Sequence, residues 1–211
     1  TNDIIISRAN STFAKTTAKN KIRFFDINEE KLEEERSLVE GEFLQAMKDG
    51  DVVAYYQPKV DAQNNQIVGV EALCRWIKGD EVITPFVFLE VNNQICNLDF
   101  YMLRKVCEDL VAWMNKGNDA VRVSVNFSRN NLADKNFVTK VVDVIDEYGV
   151  PHDKITVELT ETTLENDFDE IKRVVEGLKS YGVMVSIDDF GMGYSSLNLI
   201  KDVNWDIIKI D

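Results

Sequence analysis

The chain has 211 residues, 45% of them hydrophobic and 29% charged, and a net charge of −13. That length and apolar content suffice to bury a sizeable core in one large domain plus a short extra piece, while the acidity argues against a nucleic acid polymer as partner, since such binding depends on a basic surface. No apolar run approaches the roughly 20 residues that span a bilayer, and no basic-then-apolar leader opens the chain, so a cytoplasmic location is expected.

Residues 1–27 are too few to fold alone and read as the tail of a preceding domain, a helix around Ser7 to Lys19 followed by a strand through Ile22 to Phe25. Residues 28–50 read as a linking helix: Val39, Phe43 and Met47 recur at i, i+4, and Gly50 stands just beyond the end. From Asp51 to Asp211 short apolar runs alternate with helical segments. Strands are expected at Val52 to Gln57, Ile67 to Val70, Val121 to Val125, Ile155 to Val157, Val183 to Ile187 and Ile207 to Ile210. Helices are expected at Leu98 to Trp113, Phe137 to Tyr148, Phe168 to Tyr181 and, shorter, from near Ser195. An Asn- and Gln-rich turn over Asp61 to Gln66 separates the first two strands, which suits an antiparallel pair. The later strands, separated by helices, predict a parallel sheet of βα units, closed as a barrel or open; six strands are visible where a closed barrel has about eight.

The chemistry gathers where these runs end. Glu71, Asn126, Glu158 and the pair Asp188 and Asp189 each follow an apolar run, and Lys209 interrupts the last one. Parallel strands of a barrel present their C-terminal ends on one face, so these groups are expected to converge there. One carboxylate at a strand end is more often a helix cap or a solvated loop residue; five oxygen donors at successive ends are harder to explain without a cation, because buried charge needs a partner. Carboxylate and amide oxygens without nearby His or Cys select Mg²⁺ or Mn²⁺, and adjacent aspartates suit a two-metal site that hydrolyses a phosphodiester by direct attack of water. A lysine opposite would orient that water or offset developing charge. The cysteines, Cys74, Cys96 and Cys107, lack metal-site spacing and are expected to be reduced, mostly buried thiols. His152, beside Pro151, is expected at the surface, and Trp76, Trp113 and Trp205 in the core or helix layer.

These residues also resemble a family. Glu71-Ala72-Leu73 with Arg75, Tyr55-Tyr56-Gln57-Pro58, Val125-Asn126-Phe127-Ser128, Glu158-Leu159-Thr160-Glu161, the run from Asp188 to Leu197, and Lys209-Ile210-Asp211 stand in the order and spacing of the EAL domain cyclic di-GMP phosphodiesterases. The resemblance implies a TIM-like (β/α) barrel with an antiparallel first strand. It implies hydrolysis of cyclic di-GMP to linear pGpG, with a catalytically silent cyclic di-GMP receptor as the alternative. Glu71, Asn126, Glu158 and Asp188 match metal ligands, with Asp188 and Asp189 serving a second ion, and Lys209 matches the lysine at the catalytic water. Gln57 and Arg75 match residues that grip the dinucleotide, Arg75 at a phosphate, and Leu73 lines the same pocket. Glu161 matches the anchor of the loop from Asp189 to Ser195, coupled to a homodimer through the barrel. Silent relatives commonly lose the motif glutamate or a paired aspartate; Glu71, Asp188 and Asp189 are all present here.

The stretch Ala14 to Asp26 resembles the closing helix and strand of a GGDEF domain. Met192 stands where the family usually has Thr, and Val91-Asn92-Asn93 departs from a common Ala-Glu pair. The family continues past the Lys-Ile-Asp strand into two more βα units, so a barrel incomplete at its C-terminus is expected, and the fragment alone is expected to be inactive.

Overall fold

The computed structural model describes residues 41–84, 95–117, 121–160, 168–191 and 201–210. The expected tail over residues 1–27, most of the linking helix, Glu161 and Met192 lie outside the described residues. The chain divides into two units, Thr1–Glu42 and Phe43–Asp211, and the fold below is that of the second.

Residues 43–49 are helical, and Gly50 leaves the helix at φ 84°, a left-handed conformation that glycine takes without a Cβ penalty. Phe43 meets Trp76 edge to face at 5.6 Å between ring centroids. Strands β1 (Val52–Val60) and β2 (Ile67–Lys78) pair antiparallel, with Gln57 opposite Glu71. The turn between them is held by the Asp61 carboxylate, which accepts from the Gln63 backbone at 2.8 Å and the Asn64 amide at 2.9 Å. A short β3 (Glu81–Ile83), which no sequence pattern announced, folds back on the end of β2.

The βα units follow: α1 (Ile95–Asn115), β4 (Val123–Phe127), α2 (Arg129–Leu132), α3 (Phe137–Tyr148), β5 (Ile155–Thr160), α4 (Phe168–Ser180), β6 (Met184–Phe190) and β7 (Ile207–Ile210). The strand order is β1-β2-β4-β5-β6-β7, with β3 beside β2, and every pair from β2–β4 onward is parallel. This is the expected TIM-like barrel architecture with an antiparallel first strand. Gly69 permits the close approach of β2 and β4: a Cβ there would lie 3.1 Å from the Arg122 carbonyl oxygen, which accepts the Val70 amide at 2.9 Å.

Alternation sorts each parallel strand into two faces. Val123, Val125 and Phe127, then Ile155, Val157 and Leu159, are buried on the outer face against the helices. Phe127 packs there against Phe100 and Phe137, all three rings edge to face at 5.2–6.1 Å. Ser124, Asn126, Thr156, Glu158, Ser186 and Asp188 occupy the opposite, inner face.

That alternation corrects the strand-end reading. Glu71 lies inside a 12-residue β2, which runs eight residues past its apolar run, and Asn126, Glu158 and Asp188 lie within their strands, because those ladders continue two or three residues beyond their apolar runs. The sheet also curls. Lys209 on β7 reaches Glu71 on β2 at 2.9 Å, although four inter-strand steps of about 4.8 Å would separate those strands by roughly 19 Å in a flat sheet.

Candidate metal centre

Glu71, Glu158 and Asp188 each offer one oxygen to a group in which all such atoms lie within 4.8 Å of one another. They come from β2, β5 and β6, and inner-face alternation aims them inward. Glu158 is wholly buried, and Glu71 and Asp188 are 15% and 17% exposed. Lys209 donates to all three, at 2.9 Å to Glu71 Oε2, 3.1 Å to Glu158 Oε2 and 2.5 Å to Asp188 Oδ2. Burial works against its charge, but the bonds to Asp188 and Glu71 and the nearby charges of Glu158 and Glu71 outweigh that, holding its pKa above the ordinary lysine range. Lys209 is therefore a cation that donates a hydrogen bond to each of the three carboxylates.

The Asn126 amide nitrogen donates to Glu71 Oε1 at 2.9 Å. That bond uses the donor side of the amide, so its oxygen is not spent on Glu71. Asp188 Oδ1 accepts the Asp189 backbone amide at 2.9 Å. Asp189 itself has φ 54°, left-handed for a non-glycine residue, where the β6–β7 register shifts between Ile187 and Phe190. The Asp189 carboxylate is exposed and does not belong to the group of three.

The residues expected to grip a substrate border this group. Gln57 pairs with Glu71 across the β1–β2 ladder, Leu73 and Arg75 follow Glu71 at alternate positions, and Tyr55 pairs with Leu73. Arg75 donates to its neighbour's carbonyl, Cys74 O, at 2.7 Å and lies 5.8 Å from the centroid of the half-exposed Tyr55 ring.

Two contributors escaped the sequence reading. Lys59, two residues beyond Gln57 on the same face of β1, donates to Glu158 Oε1 and, at 2.7 Å, to Ser124 Oγ; the period-2 pattern starting at Gln57 is the signal that would have found it. Asp99, in the first turns of α1, accepts from the Ser128 backbone and the Asn131 amide, both at 2.7 Å. It thereby fixes the turn that leaves β4 just after Asn126. Burial outweighs these bonds and pushes the Asp99 carboxyl up to about 6.

The donor set fits a divalent cation. It consists of oxygens, which hard cations prefer, and a positive group, the Lys209 ammonium, already sits among the three carboxylates. Three negative carboxylates face two positive ammonium groups, Lys59 and Lys209, so the site retains net attraction for a cation.

A curled, mostly parallel α/β sheet with carboxylates converging on its inner face defines a TIM-like (β/α) barrel architecture with a candidate cation site on that face. The chain belongs to the EAL domain family, whose match covers residues 40–211. It is 31% identical over 202 residues to the Cyclic di-GMP phosphodiesterase NbdA of Pseudomonas aeruginosa, covering 94% of this chain and 26% of that protein. It is 32% identical over 202 residues to the Bifunctional diguanylate cyclase/cyclic di-GMP phosphodiesterase MucR of the same organism, covering 94% of this chain and 30% of that one. The solved structure of the PaMucR phosphodiesterase in complex with c-di-GMP superposes with a TM-score of 0.76 at 32% identity, over 82% of this chain and 72% of that chain. The chain thus spans less than a third of the length of these curated relatives.

Proposed function

We propose that the full-length protein hydrolyses cyclic di-GMP to linear pGpG with divalent cations, Mg²⁺ or Mn²⁺. The observation that carries this reading is the convergence of Glu71, Glu158 and Asp188 within 4.8 Å on the inner face of the sheet. These residues, with Asn126, would hold one cation, and Asp188 with Asp189 would serve a second. Bound cations supply Lewis acidity, polarising the phosphodiester and making water a nucleophile near neutral pH.

The chain's own residues do the rest. Arg75, a forked donor, takes a phosphate oxygen, while Gln57 and Leu73 seat the dinucleotide beside Glu71. Lys209, giving up one of its three carboxylate bonds, donates to the attacking water and orients it. Water adds to one phosphorus as one ring P–O bond breaks, and the departing oxygen takes up a proton. The same reading includes a homodimer through the barrel, with Glu161 anchoring the loop over residues 189–195, a GGDEF domain ahead of residue 28, and a cytoplasmic setting. Among the described residues, no helix is long and apolar enough to cross a membrane.

The Lys209 ammonium, hydrogen-bonded by all three carboxylates, supports a second reading: a receptor that binds cyclic di-GMP and leaves it intact. One experiment separates the two. Full-length protein incubated with cyclic di-GMP and Mg²⁺ or Mn²⁺ is expected to release pGpG. Tight binding in calorimetry that is independent of metal, with no product, would establish the receptor instead.

A further inference from the structure

The buried Glu158 carboxylate has two oxygens, and the chain assigns them to different cations. Lys209 reaches Oε2 from the side of Glu71 and Asp188. Lys59 reaches the other oxygen, Oε1, from β1. On β1, Lys59 pairs with Gly69 and Gln57 pairs with Glu71. Its backbone therefore lies two residues nearer the start of β2 than the acidic group does, and its side chain must extend along the inner face to reach Glu158. The residues there leave it room. Ser124, Thr156 and Ser186 stand on that face two positions before Asn126, Glu158 and Asp188, all three are fully or nearly buried, and all have short side chains. Ser124 gives Lys59 its second anchor, Oγ at 2.7 Å. Among the described residues, the Thr156 and Ser186 hydroxyls have no hydrogen-bond partner, so this layer is polar without being a closed network.

We propose that Lys59 is a positioning residue: anchored on Ser124, it holds Glu158 Oε1 and so fixes the carboxylate with only Oε2 turned toward Glu71 and Asp188. Glu158 then offers a cation one oxygen in a set orientation. This deepens the reading above and rests on Glu158 being a metal ligand. The geometry also separates two roles with opposite signs. A mere counter-charge would repel the metal, so its removal would tighten binding. A positioning group makes the ligand ready, and loss of such an outer partner weakens binding, typically by 10- to 100-fold.

The test is Mn²⁺ titration of metal-free full-length protein, following the loss of the free-ion electron paramagnetic resonance signal, in native protein, Lys59→Met, Ser124→Ala and the double variant. Lys59→Met is expected to raise the Mn²⁺ dissociation constant by about 10-fold or more. Ser124→Ala, which leaves the ammonium with one anchor, is expected to raise it by about fivefold. The double variant should bind no more weakly than Lys59→Met, because both act through one contact. A purely structural role for Lys59 would lower the metal-free melting temperature and leave the Mn²⁺ midpoint in place. Unchanged or tighter Mn²⁺ binding in folded Lys59→Met overturns the proposal. If that variant does not fold, unchanged binding in Ser124→Ala overturns it. Native protein that binds no Mn²⁺ overturns both this proposal and the metal reading, whereas equal binding in native and variant protein overturns only the role of Lys59.

Discussion

Lys209 governs how three carboxylates coexist within 4.8 Å. Its ammonium, 27% exposed, is the charge they share, and removing one partner of such a group leaves uncompensated charge behind. Lys209→Met is expected to lower metal-free stability by about 2 kcal/mol, less than the loss for a fully buried pair because water reaches part of the site. Thermal melts in chelator should show this, and Mn²⁺ should recover more stability in the variant than in native protein. Turnover should fall on the order of 100-fold, as for loss of one transition-state donor. Glu71, Asn126, Glu158, Asp188 and Lys209 were legible in the sequence because each is polar among apolar neighbours. Lys59 was missed because its partner Glu158 lies 99 residues away, and its one mark is the two-residue spacing from Gln57 along β1. Asp189 was read together with Asp188 as adjacent donors, yet adjacency in a strand sends side chains to opposite faces, and only the unusual φ at Asp189 alters that alternation.

Helix packing sets the outer layer. A Cβ at Gly177 in α4 would lie 2.9 Å from Val138 Cγ2 in α3. Alanine is favoured over glycine in a helix by about 1 kcal/mol, but the valine side chain is stiff at χ1 and cannot easily yield. Gly177→Ala is therefore expected to lower the melting temperature, and adding Val138→Ala should restore it; a rise in the single variant would refute the close contact. His152 links two elements, with Nε2 2.8 Å from Asp146 Oδ1 of α3 and Nδ1 2.6 Å from the Tyr181 carbonyl oxygen beyond α4. Burial opposes the imidazolium, but the Asp146 bond, the Tyr181 carbonyl and the Asp146 charge raise the pKa overall. A histidine raised above its unfolded value of about 6.5 contributes stability that is complete below that pH and fades as pH rises through the folded value. The melting-temperature gap between native protein and His152→Ala should accordingly be wider at pH 6 than at pH 9. The periodicity over Phe137 to Tyr148 gave that helix its observed bounds, since a strong apolar stripe and Gly149 mark its face and its end. Strand ends were misjudged because a parallel ladder carries polar inner-face residues that end an apolar run without ending the strand.

At the scale of the molecule, the order of strands and helices disclosed a parallel sheet of βα units, because alternating β and α segments admit few other arrangements, and the family resemblance was what chose the barrel over an open sheet. Curl was not legible: it accumulates from the twist of each strand pair, and it is what brings Lys209 on β7 to Glu71 on β2. The entry of β7 is tied down by Asp206, which accepts from the Val185 amide at 2.9 Å and from Lys179 Nζ at 2.6 Å, so the placement of Lys209 depends on α4 and β6 together. The central proposal is that this converging group makes the full-length protein a cation-dependent phosphodiesterase. Its most direct test is pGpG release from cyclic di-GMP by full-length protein in Mn²⁺, in chelator, and with Glu71→Ala. The account predicts product in Mn²⁺ alone, none in chelator, and a loss of at least about 1,000-fold in Glu71→Ala; product formed equally in chelator or by Glu71→Ala would contradict it.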